Sequence, residues 1–159
     1  HRTVENYRKT TGNNSVRPVQ LLGVSMWNDP ELTKRLGRQI DGAVFVDGFN
    51  PGDGTPRVQK FVGAFAEVHH SKPQLIEAQA HDGAAIVAAL LTGDAARPAL
   101  RTRESLRQAI AGISEFPGVT GLIRFDEQGD SATLPIHFVV DGERIETRDP
   151  AALAKGGSG

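Results

Sequence analysis

The chain has 159 residues, 38% hydrophobic and 23% charged, which is the composition of a globular protein that buries a core. Its formal net charge of −1 gives no bulk electrostatic basis for binding nucleic acid or an anionic membrane. It contains no cysteine, which excludes disulfides, thiolate metal sites and a cysteine nucleophile.

The N-terminal part of the sequence predicts a helix, a strand and a second helix. Thr3–Lys9 has the apolar spacing of a short helix, and the mostly apolar segment Val19–Val24, which contains β-branched residues and a glycine, predicts a buried strand. Asp29 and Pro30 pair an N-cap with a proline at the first helical position, where a missing N–H costs nothing. We therefore expect a helix from there to Leu36.

The middle of the chain predicts a strand followed by three helices. Ala43–Val46 is a short apolar strand, and turn-forming residues fill positions 50–54. Thr55 and Pro56 repeat the cap-and-proline start, and Thr102 is the predicted cap of the last helix. A long helix is expected over Leu75–Leu91. The first of the three helices has apolar residues at three- and four-residue steps: Val58, Phe61, Val62, Phe65 and Val68.

The last third of the sequence predicts short strands. Leu122–Phe125 and Ile136–Val140 are two of them. Asp141-Gly142 is a two-residue hairpin signal, since both central positions of such a turn favour positive φ, and Glu143–Thr147 is the return strand. The order of elements predicts an α/β fold whose mainly parallel sheet is flanked by helices and ends in a β-hairpin.

Four segments carry more specific signatures. They are Leu22–Leu32, Asp41–Val46, Glu77–Ala84 and Phe116–Asp126, the last followed by Gly129-Asp130. In this order they resemble the leucine/isoleucine/valine-binding type of periplasmic receptors, and the most specific of them resembles the family's "F-x-G-V-T-G-x-I-x-F-D-x-x-G-D" run. The resemblance covers residues 16–147. One departure is His81, which stands where the family often has a core tyrosine.

The resemblance implies a type I periplasmic-binding fold, in which two α/β lobes are joined by crossovers and ligand lies between them. Residues 1–150 would be the C-terminal portion of such a domain, lacking the first lobe, and 151–159 a flexible tail. Because the chain starts at His1 without an initiator methionine, we expect a preceding segment, with any signal peptide, to have been removed. The resemblance also implies that the helices over Leu75–Ile113 pack largely on the first lobe. The absence of that lobe would leave an apolar face uncovered here.

The candidate ligand site lies in the loops Ser25–Asn28 and Asp47–Asn50, which follow the first two predicted strands, because ligands of open α/β sheets bind beyond the carboxyl ends of the strands. Trp27 offers an apolar wall or a stacking surface; the alternative is that it anchors its own loop. Asp47 offers a partner for a ligand ammonium, as the resemblance implies for an acidic residue of this lobe; the alternative is a turn or cap carboxylate. The predicted ligand-binding residues are Ser25, Trp27, Asp47 and Phe49.

Other polar clusters predict no metal, cofactor or catalytic site. His69-His70 and His81-Asp82 are neighbours on predicted helices, where adjacent side chains point about 100° apart. Asp126–Asp130 lacks the alternating ligands of a calcium loop and predicts a β-turn. Gly52–Thr55 lacks the Lys and Ser/Thr of a phosphate loop. We therefore expect a protein that is not an enzyme.

The resemblance implies a solute-binding receptor of an ABC-type importer, in the periplasm or cell envelope, with a membrane permease as partner. A branched-chain or related amino acid is the default ligand. The alternative is a regulatory lipoprotein-type domain of the same fold that binds a protein partner such as a penicillin-binding protein, a cell-wall synthase. Trp27–Leu32 and Gly42–Phe49 also resemble sequences of that kind.

Overall fold

The computed structural model describes residues 9–10, 12, 20–36, 39–92, 102–131 and 133–149. The chain divides into two compact units, unit 1 with residues 1–47 and 135–159 and unit 2 with residues 48–134. The predicted helix Thr3–Lys9, except for its last residue, and the predicted tail 151–159 lie outside the described residues.

The elements follow the chain in the predicted alternation. In unit 1 they are β1 (Leu22–Gly23), a 3-10 turn (Ser25–Trp27), α1 (Pro30–Leu36), β2 (Val44–Asp47), β5 (Ile136–Asp141) and β6 (Arg144–Arg148). In unit 2 they are α2 (Pro56–His69), α3 (Leu75–Thr92), α4 (Arg103–Ala111), β3 (Phe116–Pro117) and β4 (Leu122–Ile123). Within the described ranges, no helix is both long and apolar enough to cross a membrane.

The described strands of unit 1 form a mixed sheet in the order β1-β2-β5-β6. β1 is parallel to β2, whereas β2 with β5 and β5 with β6 are antiparallel. The α/β class with a helix-flanked sheet is confirmed, but the prediction of a mainly parallel sheet is wrong for the described strands. The reason is that β5 lies beside β2 and runs in the opposite direction, a pairing that no local pattern encodes.

The core of unit 1 forms on one face of this sheet. Phe45 and Phe138 are cross-strand partners whose rings stack with centroids 5.1 Å apart. Trp27 and Leu32 pack against this cluster. Thr33, which is fully buried, donates a hydrogen bond to the carbonyl of Glu143 over 3.1 Å and so ties α1 to the β5–β6 hairpin.

β1 differs from its prediction as a buried strand. Leu22 is 74% exposed and Val24 is 58% exposed. In the described sheet β1 pairs with β2 alone and lies at the edge. The start of α1 is as predicted, since Asp29 Oδ1 accepts a hydrogen bond from the Glu31 amide over 2.9 Å.

The predicted hairpin between β5 and β6 is confirmed, with its turn one residue further along the chain. Asp141 pairs with Arg144, so Gly142 and Glu143 are the two central residues. Gly142 has φ of 62°, while Glu143 is not among the residues with positive φ. A positive φ at the first central position alone is the pattern of a type II′ turn, not of the predicted turn with two positive values.

The core of unit 2 forms around the predicted apolar face of α2. Val58 and Phe61 are buried, whereas Val68, at the end of the same pattern, is 71% exposed. Thr55 makes no side-chain cap, contrary to prediction; Asp53 Oδ1 instead accepts the Thr55 amide over 2.7 Å. α3 covers the predicted range and extends it by one residue.

The start of α4 is the capping arrangement that the sequence predicts. Thr102 Oγ1 accepts the Ser105 amide over 3.1 Å, and Ser105 Oγ accepts the Thr102 amide over 3.2 Å. In the first turn, hydrogen bonds from Arg107 and Gln108 lower the pKa of Glu104 from 4.5 to about 2. The resulting negative charge interacts favourably with the positive end of the helix dipole and so stabilises α4.

A buried carboxylate joins α3 to the segment before β4. Asp82 accepts hydrogen bonds from the Val119 amide (2.7 Å), the Thr120 amide (2.9 Å) and Thr120 Oγ1 (2.7 Å). A Cβ atom at Gly118 would lie 2.4 Å from Asp82 Oδ2, so only glycine fits there. The most specific signature in the sequence therefore has a structural basis in unit 2.

Candidate functional site

The parallel pairing of β1 and β2 brings two polar segments together in unit 1. Gly23 is the register partner of Phe45, so both strands end at the same edge of the sheet. The 3-10 turn Ser25–Trp27 follows β1, and Asp47 is the last residue of β2. Asn28 Nδ2 donates a hydrogen bond to Asp47 Oδ2 over 2.7 Å. The two predicted ligand loops thus meet at an amide–carboxylate contact.

Asp47 lies at the polar end of the unit 1 core. It is two residues from Phe45 on β2 and shares its buried face, and it is the register partner of Ile136. Its residue is only 5% exposed, so its carboxylate has lost most of its water and needs protein donors. Asn28 is one such donor. The sequence places Asn28 in the first candidate loop, Ser25–Asn28, but does not single it out as a ligand residue.

Trp27 is a half-buried residue that packs on the unit 1 core. Its ring lies over β1, where a Cβ atom at Gly23 would be 2.5 Å from Trp27 Cδ2. This contact supports the view that Trp27 anchors its own loop. Ser25 begins the same turn and is half-buried, and its carbonyl accepts the Asn28 amide over 2.9 Å.

Phe49 belongs to unit 2, while the other three predicted ligand residues belong to unit 1. Its side chain is 1% exposed and packs edge-to-face against Phe61, with ring centroids 6.0 Å apart. Val58, Ala78 and Val119 complete its surroundings. The structure therefore places Phe49 as a core residue of unit 2.

Two histidines of unit 2, His69 and His81, lie against aromatic rings. The His81 ring lies 4.6 Å from the Phe61 ring and the His69 ring 4.3 Å from the Phe65 ring, centroid to centroid. His70 ends α2 in the left-handed conformation. His81 Nδ1 is 3.4 Å from Asp82 Oδ1, but that carboxylate is already bonded to the Val119–Thr120 segment. In the described ranges no group of three His, Cys, Asp or Glu side chains is placed to hold a metal ion.

The turn predicted over Asp126–Asp130 is present. Asp126 Oδ1 accepts the amides of Gln128 (3.0 Å) and Asp130 (2.8 Å). The carboxylate thus serves its own backbone, and the flanking Phe125 and Ser131 form a β-bridge.

Comparisons with known proteins agree with the predicted fold. The family model "Periplasmic binding protein" matches residues 9–140. A search of curated protein sequences found no match. A putative branched-chain amino acid ABC transporter from Rhodospirillum rubrum is 28% identical with a TM-score of 0.70, covering 88% of this chain and 39% of that chain.

Two further solved structures share the fold at lower identity. The leucine binding protein of Thermotoga maritima is 20% identical with a TM-score of 0.64, covering 94% of this chain and 41% of its own. A solute binding protein from R. palustris in complex with benzoate is 17% identical with a TM-score of 0.63, covering 81% of this chain and 35% of its own.

These matches span well under half the length of the solved chains, while the family model covers most of this one. The chain therefore belongs to the periplasmic binding protein family and is a partial domain of its type I, leucine/isoleucine/valine-binding fold.

Proposed function

We propose that the chain is part of a solute-binding receptor and that its ligand contacts unit 1 at the carboxyl ends of β1 and β2. The observation that carries this proposal is the 2.7 Å hydrogen bond between Asn28 and Asp47, which joins the segment after β1 to the last residue of the parallel strand β2. Ligands of open α/β sheets bind at such ends. Family membership adds weight, since the matched structures include ABC transporter solute-binding proteins.

The ligand we propose is a branched-chain or related amino acid. Asp47 would receive its ammonium group, Trp27 would line its apolar side chain, and Ser25 would add a hydroxyl contact. Support comes from the names of two relatives, one a branched-chain amino acid transporter and one a leucine binding protein. A third relative is bound to benzoate, which has no amino group, so a test must separate recognition of the ammonium from recognition of shape.

The proposed role is binding without catalysis. We place the protein in the periplasm or cell envelope, delivering its ligand to the membrane permease of an ABC-type importer. This part of the proposal comes from the family and from the relatives. Residues outside this chain would complete the site.

The test is calorimetric and thermal titration of the intact protein that contains this chain with L-leucine, L-isoleucine and L-valine. A ligand at about 100 times its Kd stabilises the native state by about 2.7 kcal/mol, which raises the melting temperature by a few degrees. Asp47→Asn should lower the affinity at least tenfold. Asp130→Asn, at an exposed turn of unit 2, is the matched control. If none of the three amino acids raises the melting temperature of the wild-type protein, the proposal is wrong.

A second candidate is a regulatory role through a protein partner. It is favoured by the exposed apolar side chains along β1 and the turn after it, with Leu22 74%, Val24 58% and Met26 84% exposed. Exposed apolar clusters of this kind mark protein-binding surfaces. The partner class to test is a penicillin-binding protein.

This candidate predicts that the purified penicillin-binding protein binds the intact protein and that Leu22→Ser with Met26→Ser weakens binding at least tenfold. Leu134→Ser, an equally exposed leucine of unit 2, should leave it unchanged. If all variants bound the penicillin-binding protein equally well, this surface would not be the binding site.

A further inference from the structure

We propose that unit 2 carries a second binding site, a groove beside α2 that takes a linear organic anion with an apolar tail, of the chemical class of the medium-chain fatty acids. The groove has a volume of about 490 Å³, and all of its lining residues belong to unit 2. The site proposed for an amino acid lies on unit 1. The second site is therefore independent of the proposed function.

One face of α2 lines the groove along its length. Phe61, Phe65 and Val68 follow one another at four- and three-residue steps, with Ala64 between them, so these apolar side chains lie on the same side of the helix. From Arg57 to Val68 the helix rises about 16 Å, which is enough for an extended chain of about ten carbon atoms. The helix therefore offers an apolar track for a hydrocarbon tail.

Two histidine rings add to the wall of the groove. The His81 ring, on α3, lies 4.6 Å from the Phe61 ring, and the His69 ring lies 4.3 Å from the Phe65 ring, centroid to centroid. Asp82, next to His81, is 2% exposed, and its carboxylate is bonded to the backbone before β4. Among the described residues that line the groove there is no aspartate or glutamate. An anionic ligand thus meets no like charge there.

The positive charge of the groove is concentrated at one end. Arg57 and Lys60 are exposed and lie one turn apart at the start of α2, whose first turn holds no acidic residue. Arg57 Nη1 donates a hydrogen bond to the Pro117 carbonyl, which fixes the guanidinium without offsetting its charge. Within the described part of the chain neither side chain forms an ion pair. The groove is therefore cationic at one end and apolar along the rest.

This distribution matches a ligand with one charged head and one apolar tail. A carboxylate head would lie against Arg57 and Lys60, with the tail along Phe65 and Val68. The volume falls in the range of about 300–1,000 Å³ that is typical of small-molecule sites. A protein partner would need about 800 Å² of matching surface, far more than this groove offers. The remaining alternative is that another part of the intact protein fills the groove.

The experiment titrates the intact protein that contains this chain with decanoate and with decylammonium, which has the same tail and a positive head, by isothermal calorimetry. The wild-type protein should bind one decanoate saturably. Decylammonium should bind about tenfold more weakly, because Arg57 and Lys60 repel its head.

Ala64→Trp tests the position of the tail. Ala64 is exposed and lines the groove, so the indole ring occupies the space of the ligand while the charges at the start of α2 are kept. We expect a loss of decanoate affinity of about tenfold or more. Ala88→Trp makes the same change at an exposed position of α3 outside the groove and should leave the affinity unchanged.

Lys60→Glu tests the position of the head. It should weaken decanoate binding about fivefold and strengthen decylammonium binding, since the sign of the charge beside the head is reversed. Lys72→Glu makes the same charge change at an exposed position outside the groove and should alter both affinities less than about twofold. Because this variant leaves the apolar track intact, it serves as the test even if Ala64→Trp fails to fold.

Three results would overturn the proposal. The first is that the wild-type protein binds decanoate more weakly than about 1 mM, which would mean that another part of the intact protein fills the groove. The second is decanoate binding that neither Ala64→Trp nor Lys60→Glu changes, which would place the fatty acid elsewhere in the protein. The third is that Lys60→Glu changes the affinities for decanoate and decylammonium in the same direction.

Discussion

The carboxylate of Asp82 shows how much one buried side chain can organise. It is 2% exposed and bonds two successive backbone amides and a hydroxyl of the Val119–Thr120 segment. Asp82→Ala would leave these amides without their acceptor, and we expect a loss of about 2–3 kcal/mol in the free energy of unfolding. Urea denaturation measures it.

Thr120→Val is the matched control for this prediction. It removes only the hydroxyl contact and keeps both amide contacts, so its cost should be about 1 kcal/mol. A loss in Asp82→Ala no larger than in Thr120→Val would contradict the role assigned to the carboxylate.

The close contact between Gly23 and Trp27 predicts a second residue-level effect. A Cβ atom at position 23 would lie 2.5 Å from the indole ring, so Gly23→Ala must displace Trp27. We expect a loss of about 1–3 kcal/mol from overpacking and a shift in fluorescence, since Trp27 is the only tryptophan. Gly54→Ala has open space and should change neither quantity. An unchanged emission spectrum in Gly23→Ala would refute the contact.

At the level of elements, glycines have opposite roles in the hairpin and in α3. Gly142 has φ of 62° in the β5–β6 turn, and alanine there should cost about 1 kcal/mol of unfolding free energy. Gly83 lies on the exposed side of α3, and a Cβ atom there would meet nothing within 4 Å, so Gly83→Ala should stabilise the protein by about 0.5–1 kcal/mol. Thermal unfolding of both variants measures the two changes in stability. If both substitutions stabilised the protein, or both destabilised it, the opposite roles assigned to the two glycines would be wrong.

Most helix ranges and two of the three predicted caps were predictable because their signals are local, whereas the cap predicted at Thr55 is not made. The predicted start of α1, the range of α3 and the Thr102 cap all agree with the structure. Strands were predicted less well, since the exposure of β1 depends on which strands lie beside it. The hairpin turn was predicted in position to within one residue, but its type depends on the register of β5 with β6.

At the level of the whole chain, apolar surface remains exposed on unit 2. Ile76 is 71% and Leu91 50% exposed on α3. Such surface is unusual for a complete globular domain and is consistent with a partial one.

We expect the isolated chain to self-associate through this surface. Sedimentation velocity over a range of concentrations should show association, and Ile76→Ser with Leu91→Ser should reduce it. Gln79→Ser, also exposed on α3, is the control. A monomer at every concentration would show that the exposed apolar side chains of α3 do not drive association.

The sequence by itself determined the α/β class, most helix boundaries, the final hairpin and the family, because periodicity, capping residues and short signatures act between near neighbours. Only the tertiary structure decided three other features. They are the mixed sheet, the position of Phe49 in the core of unit 2, and the hydrogen bond from Asn28 to Asp47. Each depends on contacts between residues distant in sequence, whose pairing is set by the packing of the sheet and the cores.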